Sequence, residues 1–297
     1  MRVAALQAQA ETADPEANLA TIAEAAHRAA ADGAAVLVTP ELFVTGYAPV
    51  RIGSGFDPAT VPALLEAAAG VAREAGIALV VSLPNTDAGT GPLMITATLF
   101  DRTGEAVLSY AKVHLFGPDE SAAFTASFAA PRVVDLDGVP VSLLICYDVE
   151  FPESVRAAVD AGAELVLVPT ALSTGFDTVP RILLRARALE SQVAIVYANH
   201  SGTEDGLDFL GGSVVVGADG TVLAEAGAGP RLLIADLPED GVGLARGAVP
   251  YLVERRTDLY RQWHEDRTAA DRTAADRTAA NGTAADRTAA NGTAPGA

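Results

Sequence analysis

The sequence contains very few of the residues that build disulfides or zinc sites. Its 297 residues include one cysteine and four histidines. An intrachain disulfide and a cysteine-based zinc site are therefore excluded, and the histidines lack the spacing of a zinc motif. No apolar run approaches the roughly 18 residues that a membrane-spanning helix needs, and the first residues lack the apolar core of a signal peptide. These absences predict a cytoplasmic protein with no membrane partner.

Positive charge is also scarce. Lysine and arginine together number 20 against 38 aspartate and glutamate residues, which gives a net charge of −18. A chain this acidic is not expected to bind the phosphates of DNA or RNA, so no nucleic-acid partner is predicted. Hydrophobic residues make up 50% of the chain and charged residues 20%, a composition that is typical of globular proteins rather than disordered ones.

Lysine is almost absent, because every basic residue except Lys112 is an arginine. In a sequence that has arginine at nearly every basic position, a single remaining lysine is a candidate for a role that needs a compact ammonium group. A planar guanidinium would not fill that role. Chance retention explains the composition equally well. Lys112 is therefore a candidate functional residue, and the surrounding sequence must supply further evidence for its role.

The end of the chain differs in character from the rest. Residues 266–297 repeat five-residue units such as DRTAA and NGTAA and contain no large apolar residue. The repeat has neither a helical stripe nor strand alternation, and it cannot bury enough surface to offset the entropy lost on ordering. We predict a folded domain over 1–265 and a disordered, low-complexity tail over 266–297.

The body of the chain alternates predicted strands and helices. Short apolar runs at 35–39 and 139–146 are typical of buried strands, and 61–75 and 180–192 are predicted helices. Asp14 followed by proline predicts the N-cap of another helix. Because no linker divides residues 1–265, the pattern alone favours one α/β domain with a mixed, many-stranded sheet.

Three chemically useful residues each follow a predicted strand. Cys146 lies where a strand turns into a helix, a position that exposes a nucleophile and stabilises a thiolate. Glu41 and Lys112 also end strands, where open α/β sheets place their ligands. Alone, each has a structural explanation: a lone cysteine is more often buried and inert. Together they supply a base, an oxyanion stabiliser and a nucleophile, which suffices for acyl transfer.

Three ordered segments carry a family resemblance. Residues 40–47 (PELFVTGY), 112–120 (KVHLFGPDE) and 144–153 (LICYDVEFPE) resemble the three signatures of the nitrilase superfamily of carbon–nitrogen hydrolases. The resemblance extends in order over about 1–263. It implies an α/β fold of the nitrilase type, a four-layer α-β-β-α sandwich, so that 1–265 would be a carbon–nitrogen hydrolase domain.

The same resemblance implies the roles of individual residues. By position, Glu41 is the general base, Lys112 the oxyanion stabiliser and Cys146 the nucleophile. Glu120 matches the family's second glutamate, which helps to position the substrate amide and the lysine. The backbone N–H of Tyr147 is expected to complete the oxyanion hole. This chemistry requires no metal or organic cofactor.

Four residues are expected to bind the substrate: Tyr47, Tyr147, Glu150 and Thr170. The pair Tyr147-Asp148 resembles the amidase and carbamoylase branches, and the surrounding motif resembles the aliphatic amidase and 5-aminopentanamidase branch. Relatives that bind a substrate carboxylate commonly have arginine where this chain has Glu150. A substrate without a carboxylate is therefore predicted, although Glu150 could instead favour the dipole of the helix that follows.

The predicted function is hydrolysis of a small linear aliphatic amide to a carboxylic acid and ammonia, through a cysteine thioester. An N-carbamoyl amine hydrolase, which cleaves a ureido group by the same chemistry, is the main alternative. A nitrilase and a non-catalytic binding protein on the same fold are others. The resemblance also implies a homodimer or larger homo-oligomer, with 151–159 and 182–189 as candidate contacts; packing within the chain is the alternative for both segments.

Two histidines lie close to these motifs. His114 falls inside the lysine segment and is expected to be structural. His200 follows a predicted strand and is expected either in a loop near the pocket or at the surface. Neither residue has partners at a spacing that indicates a metal site.

Overall fold

The computed structural model describes residues 1–86 and 91–268, and its strands form two six-stranded sheets and one two-stranded ribbon. The strands are β1 (Arg2–Gln7), β2 (Val36–Val38), β3 (Ala78–Thr86), β4 (Leu93–Phe100), β5 (Ala106–Ala111), β6 (Val133–Leu136), β7 (Val139–Leu143), β8 (Leu165–Thr170), β9 (Ala194–Asn199), β10 (Ser201–Glu204), β11 (Leu207–Leu210), β12 (Val214–Val216), β13 (Val222–Glu225) and β14 (Arg231–Asp236).

The two large sheets share one plan, with parallel strands at the centre and antiparallel strands at the edges. The first sheet has the order β14-β1-β2-β3-β4-β5, and β1, β2 and β3 run parallel. The second has the order β13-β12-β9-β8-β7-β6, and β7, β8 and β9 run parallel. The sheets pack face to face, with β1 against β9 and β5 against β7. Every residue of β8 and β9 is buried, as expected of strands covered on both faces.

Helices cover the outer faces of the sheets. The helices among the described residues are α1 (Pro15–Ala31), α2 (Pro49–Gly55), α3 (Val61–Ala75), α4 (Gly117–Ala123), α5 (Pro152–Asp160), α6 (Leu184–Ser191), α7 (Gly241–Ala248) and α8 (Tyr251–Glu254), and residues 257–268 also have helical backbone. Helices α1 and α3 pack on the first sheet, whereas α6 contacts β9 and β12 of the second and α5 lies beside α6. Among these helices, none combines the length and the hydropathy of a bilayer-spanning segment.

The helix boundaries follow from local chemistry. The Asp14 side chain accepts a hydrogen bond from the Ala17 N–H at 3.0 Å and caps α1, and Pro15 occupies the first helical position, as predicted. Helix α3 has the predicted bounds. It ends at Gly76, which adopts the left-handed conformation (φ 66°) that glycine tolerates best. Because the buried faces of α1 and α3 consist largely of alanine, both helices can lie close to the sheet.

The four-layer α-β-β-α arrangement that the resemblance implied is confirmed, and the single mixed sheet that the pattern alone favoured is wrong. Alternation and apolar runs identify strands, but they do not say which strands pair. Strands buried on both faces read as uniform apolar runs in one large sheet and in two stacked sheets alike. The choice depends on contacts between distant parts of the chain.

Several predicted boundaries also shift. The strand predicted over 139–146 ends at Leu143, because the chain leaves the sheet before the cysteine. The helix predicted over 180–192 begins as a π-helical turn at Val179–Leu183 and continues as α6, while Gln192 is left-handed (φ 52°). Helices α2 and α4 and the β10-β11 ribbon were not predicted, since each is short and lacks a strong periodic pattern.

The chain divides into two units between residues 251 and 252. The division falls earlier than the predicted domain end at 265. Within the second unit, 266–268 continue the helical backbone, so the first three residues of the predicted tail are helical. The rest of the predicted disordered tail, 269–297, lies outside the described residues. The domain boundary therefore stays a prediction.

Ile182 and Leu189, in the second segment predicted to pair copies of the chain, are exposed. Ile182 is 65% exposed and Leu189 is 45% exposed. An exposed apolar side chain in a predicted contact segment is compatible with pairing, but scattered ones are also normal on a surface. The homo-oligomer therefore stays a prediction.

Candidate active site

Cys146 lies at a strained turn between β7 and α5. The chain leaves β7 at Leu143, and Cys146 begins a 3₁₀ turn over Cys146–Glu150 that precedes α5. Its φ is +47°, a left-handed value that costs a residue with a Cβ free energy and is found mainly at functional turns. The predicted strand-to-helix turn is confirmed, with a 3₁₀ turn inserted before the α-helix, but Cys146 is buried and not exposed as predicted.

Glu41 follows β2, and hydrogen bonds to both sheets hold the backbone of Glu41 and Leu42. Its N–H donates to the Thr170 carbonyl at the end of β8 (3.1 Å), and the next N–H, of Leu42, donates to Ser82 Oγ on β3 (3.0 Å). Leu42 itself has a φ of +54°. The Glu41 side chain is fully buried. Because Glu41 follows β2 and bonds to the last residue of β8, it lies where the carboxyl ends of these two strands meet.

Lys112 follows β5 and brings two carboxylates together. Its Nζ donates to Glu41 Oε1 at 2.7 Å and to both carboxylate oxygens of Glu120 at 2.8 Å. The lysine side chain has no solvent exposure, and the two glutamates have 0% and 1%. A buried charge is tolerated only when its hydrogen-bonding capacity is used. The three contacts therefore fix the direction in which the ammonium points.

Glu120 comes from α4, which is too short to be predicted from the sequence pattern. Its Oε2 accepts the backbone N–H of Phe116 (2.7 Å), and its Oε1 accepts the hydroxyl of Tyr47 (2.7 Å). Gly117, at the start of α4, has a φ of +70°. The structure thus unites Glu41, Lys112 and Glu120, as the resemblance implied, and Tyr47 supports the second glutamate.

Burial controls the charge states of these groups. It raises the pKa of Glu41 to about 7, against the opposing attraction of Lys112. Burial alone would lower the pKa of Lys112, but the neighbouring acidic groups, Glu41 first, raise it above its ordinary value. The Cys146 thiol also has a raised pKa, through burial and then through the charge of Glu41. The resting site therefore holds a neutral thiol, a cationic lysine and a base whose pKa suits proton transfer at neutral pH.

The second oxygen of Glu41 is available to the thiol. Oε2 is buried and accepts no formed hydrogen bond from residues 1–86 and 91–268. Burial, Lys112 and Glu120 affect the pKa of Glu41 most. The Cys146 thiol, as a donor to the carboxylate, lowers that pKa slightly, so the sulfur lies near the carboxylate. The backbone N–H of Ala171 approaches the sulfur and favours a thiolate. The arrangement can remove a proton from Cys146 and stabilise the negative charge that results.

A cavity of about 200 Å³ opens at Cys146. Its lining residues are Tyr47, Phe116, Glu120, Cys146, Tyr147, Glu150, Ala171, Leu172, Ser173 and Phe176. Three of the four residues expected to bind substrate, Tyr47, Tyr147 and Glu150, therefore face it.

Thr170 is buried instead, and its carbonyl accepts the Glu41 N–H, because β8 continues to this residue and the cavity lining begins beyond it, at Ala171. Within residues 1–86 and 91–268, no three His, Cys, Asp or Glu side chains are arranged to hold a metal ion.

Asp148 is a functional neighbour that sequence reasoning missed. It is fully buried and accepts hydrogen bonds from the Tyr110 hydroxyl (2.9 Å), the His114 N–H (2.8 Å) and His114 Nδ1 (2.8 Å). The His114 ring stacks on Phe151 with 3.9 Å between centroids. These contacts tie the turn of Cys146 to the segment that follows Lys112, so the structural role expected of His114 is confirmed. The signal was present in the cysteine motif, but its partners lie far away in sequence.

Comparison with known proteins gives a consistent result. A sequence model of the carbon–nitrogen hydrolase family matches residues 2–246. A protein of Pseudomonas protegens named "Hydrolase in pqqF 5'region" is 36% identical over 262 residues, which cover 88% of this chain and 90% of the relative. An (R)-stereoselective amidase of a Pseudomonas species is 32% identical over 264 residues, with 87% and 93% covered.

Solved structures of an amidase from Nesterenkonia sp. AN1 resemble this fold. One, a mutant in which acrylamide has added to the active-site cysteine, is 49% identical with a TM-score of 0.82, and the match covers 89% of this chain and 99% of that chain. Another mutant of the same amidase, in complex with butyramide, has the same identity and TM-score and is covered to 97%. Both matches span the region that holds all four clustered residues.

Proposed function

The chain belongs to the carbon–nitrogen hydrolase family and is an amidase of the nitrilase superfamily, and from this we propose that it hydrolyses small linear aliphatic amides through a thioester on Cys146. The observation that carries the proposal is the fully buried Lys112 ammonium, which joins Glu41 and Glu120 beside a cysteine held at a strained turn. A binding protein would gain nothing from burying this charged cluster, since burial of charges costs free energy.

The first step is attack of sulfur on the amide carbon. Glu41 Oε2 takes the thiol proton as the C–S bond forms, because its raised pKa makes it a better base than an exposed carboxylate. The carbonyl oxygen becomes an oxyanion. Lys112 Nζ is one donor to it, and the Tyr147 N–H is the other, since N–H groups at the start of a helical turn have no acceptor within that turn. One such donor is typically worth about 3–4 kcal/mol in the transition state.

The second half of the reaction restores the enzyme. The C–N bond breaks, and the proton held by Glu41 passes to the leaving nitrogen, so that ammonia departs and a thioester remains on Cys146. Water then attacks the thioester carbon and gives a proton to Glu41. Collapse of the second tetrahedral intermediate releases the carboxylic acid and returns that proton to sulfur.

The size and walls of the cavity support a short acyl chain. A volume of about 200 Å³ accepts only a few carbon atoms beyond the amide. Phe116 lies edge-on to Tyr147 and to Phe176, with centroids 5.3 and 5.8 Å apart, which gives an apolar wall. The butyramide complex of the Nesterenkonia amidase is consistent with this size of ligand.

The proposal is tested by an ammonia-release assay on acetamide, butyramide and pentanamide beside matched ureido compounds and nitriles. We expect the amides to react fastest, with one ammonia and one carboxylic acid per turnover. Faster turnover of a ureido compound, with carbon dioxide as a second product, would instead support the N-carbamoyl amine hydrolase. Turnover of nitriles alone would contradict both alternatives.

Glu150 supports a more specific proposal about substrate charge. Its half-buried side chain lines the cavity, and burial raises its pKa. Its carboxylate forms no hydrogen bond with the described residues, whereas its backbone carbonyl accepts Arg187 Nη2 at 2.6 Å. Arg187 Nη1 donates to Glu190 at 3.0 Å. We propose that the Glu150 carboxylate is available to a substrate ammonium group, as in an omega-amino amide.

We expect the wild type to prefer 5-aminopentanamide over pentanamide by about ten- to a hundredfold in kcat/KM, the effect of a charge pair worth about 1.4–2.8 kcal/mol. Glutaramate, which carries a carboxylate, should be the poorest substrate. The Glu150→Gln variant should lose the preference and keep the turnover of pentanamide. Steady-state kinetics on the three amides measures this.

Glu153→Gln is the matched control, because Glu153 is exposed in the first turn of α5. A helix-dipole effect would respond to this change as well, whereas a contact with substrate would not. Equal losses on all three substrates in Glu150→Gln would place Glu150 in the support of Cys146 and overturn the proposal.

A further inference from the structure

A second buried ionisable pair, His200 and Glu204, lies next to the reacting groups without belonging to them. Both side chains have no solvent exposure. His200 follows β9, and Glu204 ends β10. The sequence left His200 either near the pocket or at the surface, and the structure places it in the core. Burying two ionisable groups costs free energy unless they are paired, so the pair needs an explanation.

The two ring nitrogens of His200 face two different acceptors. Nδ1 lies 2.6 Å from Glu204 Oε1, and Nε2 lies 2.6 Å from the backbone carbonyl oxygen of Glu41. A carbonyl oxygen can only accept, so Nε2 must carry a proton. Nδ1 faces the Glu204 carboxylate, so the ring bridges that side chain to the main chain of Glu41.

Glu204 extends the same network to the second glutamate of the active site. Its Oε1 also accepts the Ala10 N–H (2.7 Å), and its Oε2 accepts the Tyr47 N–H (3.2 Å). The Tyr47 hydroxyl in turn donates to Glu120 Oε1. One buried carboxylate is therefore connected to both glutamates that hold Lys112, through His200 on one side and through Tyr47 on the other.

The His200 ring has little freedom to turn. Its centroid lies 4.8 Å from that of Phe209, 5.5 Å from Phe43 and 6.4 Å from Tyr47. Aromatic rings on several sides, with a hydrogen bond at each nitrogen, fix the imidazole in one orientation. The donor at Nε2 thus holds the Glu41 carbonyl at a set place.

We propose that His200 is a positioning residue for the general base, and that its Nε2–H bond to the Glu41 carbonyl sets the main chain from which the Glu41 carboxylate reaches Cys146. Glu204 orients the ring. The inference rests on the proposed role of Glu41. A displacement of that backbone would move Oε2 relative to sulfur and weaken proton transfer, while the cavity that binds the substrate would change little.

Three substitutions separate the two hydrogen bonds of His200. His200→Gln can place an amide N–H near the position of Nε2, and His200→Asn can place one near the position of Nδ1. His200→Phe keeps the ring and removes both donors. We expect His200→Gln to retain most of kcat. His200→Asn and His200→Phe should lose about 100-fold in kcat, the effect of misplacing a catalytic group by about 1 Å, with little change in KM.

The kinetics are measured with butyramide and expressed per reactive thiol, which alkylation by iodoacetamide counts, because Cys146 is the only cysteine. The rate of that alkylation is a second readout that does not require amide turnover. It should fall in His200→Asn and not in His200→Gln, since it depends on proton removal by Glu41. His27→Asn, at an exposed histidine on α1, is the matched control and should change neither rate.

If His200→Asn equals or exceeds His200→Gln in both rates, the positioning role is overturned. The same conclusion follows if the loss lies in KM alone. A wild type that alkylates normally but hydrolyses no amide would contradict the proposed function and leave the comparison of alkylation rates to decide the role of His200.

Discussion

We expect Cys146→Ala to remove amide hydrolysis to below about 1% of the wild-type rate, because the proposed thioester intermediate forms on the Cys146 sulfur. The fold should survive the change. Alanine can adopt the same left-handed φ as cysteine, and loss of one sulfur atom at a position 6% exposed creates only a small cavity, with a cost of about 1 kcal/mol. Ammonia release and thermal unfolding of the two proteins measure these effects.

Cys146→Ser should be nearly as inactive. A hydroxyl holds its proton far more tightly than a thiol, and a base with a pKa of about 7 cannot remove it at a useful rate. Mass spectrometry after addition of butyramide should detect an acyl adduct on the wild type and none on either variant. Retention of more than about 1% of the activity by Cys146→Ala would contradict the nucleophile assignment.

The sequence contained more information about the reacting groups than about their support. Cys146 and Lys112 are each unique in the chain, and both follow strands, so composition and strand ends were enough to nominate them. Glu41 needed the motif resemblance, because acids at strand ends are common. Asp148 and Glu204 contact residues that are distant in sequence. A pattern along one chain does not encode which distant backbone N–H groups a carboxylate will meet.

The fold shows the same division between local and non-local information. Helix α3 was predicted to the residue, since its apolar periodicity and its terminal glycine are local signals. The separation of the strands into two sheets depends on contacts such as that of β1 with β9, which no local pattern encodes. Thr170 lies outside the cavity lining for a related reason, because its carbonyl, at the end of β8, accepts the backbone N–H of Glu41 from the opposite sheet.

We expect Lys112→Arg to lose about 100- to 1,000-fold in kcat, the effect of removing an oxyanion donor. The wild-type ammonium lies 2.7–2.8 Å from three carboxylate oxygens in a space without solvent exposure. A guanidinium is longer and planar and carries five N–H donors. It cannot enter that space without displacing Glu41 or Glu120, and it cannot offer a compact donor to the oxyanion. Arginine keeps the charge, so the loss would come from geometry.

Lys112→Met keeps the side-chain length and removes the charge. Comparison with Lys112→Arg therefore distinguishes the effect of the charge from the effect of the side-chain geometry. Two buried glutamates would then face each other without a cation, and breaking such a buried network costs about 3–5 kcal/mol of unfolding free energy, which urea denaturation measures. Arg73→Lys is the surface control, since Arg73 pairs with Glu66 in a half-exposed contact and should leave activity unchanged. If Lys112→Arg keeps a substantial fraction of kcat, both the oxyanion role and the inference from the single lysine are wrong.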